Sequence, residues 1–458
     1  MRSLVSILFI CSFLTAHSQI IKSPAQRAKL EDRIVQVGDP INLQEAISLA
    51  LERNYQIRIA KSQEQISRND FRFAFGAFLP SINGTFNNNN SVQNLRQDFL
   101  DNIRPRQEIY GALNRSSTVG LSLNWNLFNG FGVFYSYDRL SELVKISELN
   151  TRANIELTVA DVATAYYDVI RQLQQLLSLR QALDISRERL DLARGNYEVG
   201  ARSRVDFLTA QVDYNTDSSA MVSQEQNVRN AKVFLNTLLV RDPATEFVVQ
   251  DTIIVRTDLA IDRLREAANT NNPQLVTATL NRRVADLNTQ LTRAAQLPVV
   301  NLVSGYNFTA IDNQGGFGVR RGRNDIFTYG IQASIPIFTG FNQRRLINNA
   351  KTNALITEYQ QGQQQILIAQ ALEQTYSQYR NSLTLVNLEN ENYKIANENV
   401  DIAFERYRVG NSTSVEFRDV QRNAVAAETR LINAEYNTKI SEIELLRLSS
   451  LILQEVGK

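Results

Sequence analysis

The chain has 458 residues, with 49 Lys and Arg against 47 Asp and Glu, one Cys and one His. A formal charge of only +2 gives no case for nucleic acid as a partner. Cys11 and His17 both fall in the first 18 residues. Without that segment the chain has no thiol nucleophile, no His or Cys metal site, no disulfide and no Ser-His-Asp triad.

Residues 1–18 have the layout of a cleaved secretory signal: Arg2 as the basic start, an apolar core from Leu4 to Leu14, and small residues around Ala16-His17-Ser18. The core is too short to span a bilayer, and no later stretch reaches about 18 apolar residues, so no transmembrane helix is expected. Ile10 is bulky where lipoprotein processing needs a small residue, which leaves Cys11 as signal filler. Residues 19–240 form a first repeat, 241–258 a linker and 259–458 a second repeat. The segment before the first helix, 19–40, has no counterpart in the second repeat.

The duplication is visible in short matches. Asn54 and Pro80 recur as Asn272 and Pro298 at an offset of 218. Leu127-Phe128-Asn129-Gly130-Phe131 recurs as Ile337-Phe338-Thr339-Gly340-Phe341, and Tyr197-Glu198-Val199-Gly200 as Tyr407-Arg408-Val409-Gly410, both at 210. One loop absorbs the difference, and everything after it keeps register, as a continuous rod requires, since one inserted residue turns a helix face by about 100°.

Strands are expected at 81–90, 118–128, 299–309 and 327–337. Each alternates apolar residues (Val119, Leu121, Leu123 and Trp125 in the second) with Asn, Thr, Ser and Gly, the pattern of a membrane strand with a lumen-facing side. A soluble half-buried sheet gives the same alternation, but usually with Lys and Glu outward. Trp125, Phe128, Phe327 and Phe338 gather near strand ends, as interfacial aromatics do. The segments 91–117 and 310–326 are expected as loops, with Arg96, Arg104 and Arg106, then Arg320, Arg321 and Arg323. Contact with anionic lipopolysaccharide is one use for these arginines; ordinary solvation of a loop is the plainer one.

Helical hairpins are expected over 131–240 and 341–453. Val162, Tyr166, Val169, Leu173, Leu176, Leu183, Leu190 and Tyr197 follow a 3.5-residue period, matched by Leu372, Tyr376, Tyr379, Leu383, Val386, Tyr393, Val400 and Tyr407. This is a coiled-coil seam, and its residues serve as core. A helix from Phe131 to Tyr197 would be about 100 Å long. Gly200 and Gly410 break each run at the hairpin tip. The fold class is therefore mixed α and β, mostly α and internally duplicated. Four strands cannot close a barrel, and an open edge in lipid leaves backbone groups unpaired, so several copies must share one.

This order of elements, the Leu-Phe-x-Gly and Ile-Phe-x-Gly junctions and the two Tyr-x-Val-Gly tips resemble the TolC-like outer-membrane efflux channels over nearly the whole mature chain. The resemblance implies a homotrimer with a twelve-stranded β-barrel in the outer membrane and an α-barrel of helices in the periplasm. It also implies a periplasmic adaptor and an inner-membrane pump as partners, outer-membrane lipid around the barrel, no cofactor and no catalysis. The family closes its periplasmic entrance by bonds between hairpin tips. On that pattern Asp206, Tyr407, Glu416 and Asp419 fall at latch positions, flanked by Tyr197, Gly200 and Gly410. Ser412 stands where the family has an arginine, while Arg202 occupies the equivalent place in the first tip. The expectation is an exchanged latch, with Arg202 facing the second-tip acids and Asp206 near Tyr407. The plainer reading is solvated turn residues, since exposed pairs contribute about 0–1 kcal/mol each. A passive porin would share the strands but not the long helices. A coiled-coil surface protein would share the heptads but not the strands, and no acidic pair marks a carboxylate hydrolase.

Overall fold

The computed structural model describes residues 38–455, apart from 101, 102, 104 and 315–318. The expected signal at 1–18, residues 19–37 and Arg104 lie outside the described residues. The chain divides into two compact units: one of residues up to Lys61, Asn150–Val276 and Gln363 onward, the other of Ser62–Leu149 and Thr277–Gly362.

In chain order the elements are β1 (Asp39–Pro40), α1 (Leu43–Arg53), α2 (Tyr55–Phe73), β2 (Ser81–Gln97), β3 (Gln107–Asn129), α3 (Gly132–Glu198) and α4 (Arg204–Leu238). Then come β4 (Phe247–Val248), α5 (Ile261–Asn271), α6 (Pro273–Ala294), β5 (Val299–Asn313), β6 (Arg321–Ser334), α7 (Asn342–Arg408), α8 (Ser414–Leu448) and α9 (Ile452–Glu455). Both α3 and α7 run 67 residues without interruption, and both α4 and α8 run 35.

The second unit carries one antiparallel sheet in the order β2-β3-β5-β6, so β2 and β6 are its edges. Its register sorts the side chains. Val119 opposes Phe86 and Phe308, Leu121 opposes Gly84 and Tyr306, Tyr306 opposes Phe327, and Leu302 opposes Trp125 and Ile331. Because alternate residues share a face, these apolar residues stand on one side, while Val303, Ile311 and Ile326 fall on the other. The other side carries Asn83, Thr85, Asn87, Thr118, Ser122, Asn301, Asn307, Thr328 and Gln332, all uncharged. There Asn126 donates to Asn301 at 2.9 Å, and the Thr118 and Thr309 hydroxyls meet at 3.1 Å.

The strands depart from the sequence reading at three places. The segments expected as loops at 91–117 and 310–326 are largely strand, pairing in the ladder out to Gln97↔Gln107 and Asp312↔Arg321. Polar runs such as Asn114–Ser117 hide the apolar alternation, yet backbone pairing needs no apolar face once a strand leaves lipid. The fourth strand ends at Ser334 rather than 337, where Pro336, lacking an N–H, cannot continue a ladder. A bulge between Asn126 and Phe128 shifts register so that Phe128 opposes Val300 and joins the apolar side.

Each strand pair enters its long helix through a tight left-handed turn. Gly130 and Phe131 have φ of 67° and 66°, and Gly340 and Phe341 have 59° and 61°. The rings of Phe128 and Phe131 meet edge-on at 5.2 Å, and those of Phe338 and Phe341 at 5.5 Å.

In the first unit α3 and α8 lie side by side in antiparallel register. Gln175 donates to Asn433 at 3.2 Å, Gln421 donates to the Ala182 carbonyl at 2.8 Å, and the Arg171 guanidinium sits 4.3 Å over the Tyr436 ring. The seam residues Val162, Tyr166, Val169 and Leu173 are at most 1 % exposed, as are Leu372 and Tyr379. Burying each such side chain stabilises the bundle by about 1.5–3 kcal/mol. Tyr197, at the end of the stripe, is exposed instead.

The seam tyrosines also hold the linker. Tyr166 donates to the Ile41 carbonyl and to Asp251, and Tyr379 to the Arg256 carbonyl at 2.6 Å. Phe247 and Val249 are fully buried there, and β4 pairs with β1 in parallel.

Asn54 and Asn272, matched in the sequence, do the same work twice. The Asn272 side chain accepts from the Gln274 and Leu275 N–H groups at 2.9 and 3.2 Å, capping α6, and donates to the Leu448 carbonyl at 2.9 Å. Asn54 accepts from Gln56 and Ile57 and donates to Leu238 at 3.4 Å. Each therefore ties a helix start to the end of the returning hairpin helix. Asn272→Ala removes a cap and leaves a buried carbonyl unpaired, so a loss of about 2–3 kcal/mol is expected in thermal unfolding. Asn54→Ala, at a longer bond, should lose less.

Candidate hairpin-tip gate

Both tips fold by the same local rules. At the first, Gly200 has φ 73°, its N–H donates to Tyr197 O at 3.0 Å, and Ala201 N–H donates to Asn196 O at 2.8 Å. At the second, Gly410 has φ 82°, and Asn411 N–H donates to Arg406 O at 2.8 Å. Such a helix end needs a left-handed residue, which glycine adopts without Cβ strain. Ser203 then caps α4 by accepting from Asp206 N–H at 3.2 Å, and Thr413 caps α8 by accepting from Glu416 N–H at 3.1 Å. The Ser-x-x-Asp and Thr-x-x-Glu spacings state these caps in the sequence itself.

Side chains bring the two tips together at one point. The Arg202 guanidinium lies 5.1 Å over the ring of Tyr407. Tyr407 is buried and stacks on Phe417 at 5.8 Å. In the other hairpin Tyr197 stacks on Phe207 at 6.0 Å. Burial pushes the Tyr407 phenol above its usual range and Asp206 adds to this, while Arg202 and Arg189 oppose it.

The expected pairing of Arg202 with the second-tip acids does not occur within the chain. Glu416 pairs instead with Arg406 of its own hairpin at 3.3 Å, a shorter reach along the turn. Asp419 is exposed and makes no ion pair among the described residues. Ser412 is buried and donates to the Thr413 carbonyl at 3.4 Å. Asp206 bonds the capping Ser203 hydroxyl at 3.1 Å and acts on Tyr407 only through its charge.

A stronger tie lies further from the tips, on residues that sequence reasoning missed. Arg418 of α8 donates two parallel bonds to Asp217 of α4, at 2.7 and 2.8 Å, and approaches Asp213 at 3.6 Å. Asp213 also pairs with Arg189 of α3, which is fully buried. The hydroxyl of Ser186 donates to Asp217, and Gln421 donates to Ser186 at 3.0 Å. Bonding to Asp217 raises the Arg418 pKa above its usual range. These charges link the first hairpin to the second in a site whose side chains are mostly shielded from water. The one legible signal was position: Asp213 and Asp217 stand four residues apart on α4 and Arg418 near the start of α8, all close to the tips, without a motif to single them out.

One family model, the outer membrane efflux protein, matches the chain twice, over residues 46–240 and 264–450. The outer membrane efflux protein BepC of Brucella suis is 22 % identical, covering 88 % of this chain and 83 % of its own. The outer membrane protein TolC of Vibrio cholerae is 24 % identical, covering 88 % and 89 %. The Campylobacter jejuni CmeC outer membrane channel has the same fold, with a TM-score of 0.73 at 15 % identity over 91 % of this chain and 89 % of that one. With one model accounting for each half in turn, this chain belongs to the outer membrane efflux protein family.

Proposed function

We propose that three copies of this chain share one β-barrel across the outer membrane. Their helical hairpins line a periplasmic duct that receives cargo from an adaptor and an inner-membrane pump. The protein is an outer-membrane efflux channel and a conduit rather than an enzyme. The observation that carries the assembled form is the sheet: four strands, apolar on one side and uncharged polar on the other, with both edges unpaired within the chain. Lipid tolerates no open edge, so neighbouring copies supply the missing pairs. The tip contacts act as the gate in this reading: Arg202 on Tyr407, supported by the turns at Gly200 and Gly410, forms a weak outer tie. The Arg418–Asp217 pair behind it forms the strong one.

Deleting the gene should raise sensitivity to pump substrates, because a duct carries cargo outward. Loss of a porin would instead reduce uptake and lower sensitivity. Mass measurement of the detergent-purified protein should give three chains per particle, and a monomer would end the shared-barrel reading.

A further inference from the structure

From the register of the sheet we infer a binding site for a phosphorylated lipid headgroup, built by Arg115, Arg321 and Arg323 on the lipid-facing side of the barrel. The inference rests on the shared-barrel reading above. On the apolar side, the band runs from the row Phe128–Val300–Ala333 to the row Phe86–Val119–Phe308. The eight residue steps of β5 from Val300 to Phe308 cover about 27 Å of strand. At a tilt of about 40° this is roughly 20 Å of height, close to the apolar band of an outer-membrane barrel.

The next two rows on that same side carry Arg323, then Arg115, Asp312 and Arg321, among Asn88, Asn90, Ser117 and Ala310. Arg323 opposes Ala310, and one pleat further Arg115 opposes Asp312, which opposes Arg321. Even spacing from Val119 and Phe327 puts Arg115, Arg321 and Arg323 on the lipid side, one or two rows beyond the last aromatic row. Adjacent strands are about 4.8 Å apart and one pleat is about 7 Å, so the three arginines start within roughly 12 Å of one another. Side chains of that length can converge on one phosphate.

The charge count favours an anion. Arg321 reaches Asp312 at 3.4 Å, and Asp325 stands on the same face. Arg115 and Arg323 are exposed and have no ion-pair partner among the described residues. Three guanidiniums therefore face two carboxylates at the height where headgroup phosphates lie. Guanidinium offers phosphate a two-bond fork, which a hydrated loop cation does not need. Arg96 and Arg106 behave differently: each is held by a nearby acid, Arg96 by Glu108 at 3.2 Å and Arg106 by Asp98. The proposed site therefore takes Arg115 and Arg323, which have no such acid among the described residues, together with Arg321.

The test uses the full-length protein and the triple variant Arg115→Gln, Arg321→Gln, Arg323→Gln, both in detergent and titrated by native mass spectrometry. The probes are diphosphoryl lipid A, its dephosphorylated form, and phosphatidylethanolamine. Wild type should retain diphosphoryl lipid A at least tenfold better than either other lipid, and the triple variant should lose that preference. Inorganic phosphate at 10 mM should not displace the lipid; displacement would mark a free-anion site and overturn the lipid assignment. Equal retention by wild type and variant would also overturn it. Subunit mass and single-channel conductance are read on the same samples. Three-chain particles that conduct but show no lipid preference refute this site alone, whereas monomers that do not conduct refute the barrel beneath it.

Discussion

Arg418→Ala is expected to raise the single-channel conductance of the reconstituted protein several-fold, while Arg202→Ala changes it less than twofold. The difference follows from burial. The Arg418 and Asp217 side chains are 15 % and 14 % exposed, so their attraction is little screened, and removing the arginine strands Asp217 without a counter-charge. Breaking a buried pair in this way costs about 3–5 kcal/mol. Asp213 keeps Arg189 and should hold its place. Arg202 loses only a contact with the face of Tyr407, of order 0.5–1 kcal/mol at a partly exposed site. Arg418→Lys keeps the charge but not the fork and should fall between. An Arg418→Ala protein that folds and assembles but conducts like wild type would remove this pair from the proposed gate.

The second large effect is expected at the strand-to-helix turn. Gly130→Ala should leave little assembled channel in the outer membrane, measured as the heat-sensitive oligomer on gels. The added Cβ would overlap the Ala294 carbonyl oxygen and crowd Leu297, and the residue must also hold φ 67°. Gly340 has a similar φ of 59° but nothing within 4 Å of an added Cβ. Gly340→Ala should therefore lose only the left-handed strain, about 1–2 kcal/mol, and still assemble. If both variants accumulate equally, close packing at the first junction is not what the glycine serves.

Much of this architecture could be read from residue order because its elements are long and periodic. A seam repeating every 3.5 residues from Val162 to Leu190 has one structural solution, and alternation from Val119 to Trp125 has few. The membrane-distal halves of β2 and β3 were illegible for the same reason in reverse. Beyond lipid, Asn89, Ser91 and Gln93 need no apolar partners, so only backbone pairing marks them as strand. The tips were half legible. Gly200, Gly410 and the caps at Ser203 and Thr413 are local chemistry and appear in the sequence. Which helix faces which is not local: Arg418 meets Asp217 across 201 residues, and no spacing rule reaches that far. Within one chain Glu416 pairs with Arg406 along its own turn, a contact that residue order does not distinguish from one with Arg202.

The two edges of the sheet are unlike: β2 on one flank and β6 on the other, pointing in opposite directions along the barrel wall. Joining β2 to another β2 would require one molecule to stand upside down in the bilayer, so β2 can be met only by the β6 of a neighbour. Growth can proceed only head to tail, each newcomer leaving one free flank of each kind until the last meets the first. Assembly intermediates are therefore always sticky at both ends, and ring closure is the only step that ends recruitment.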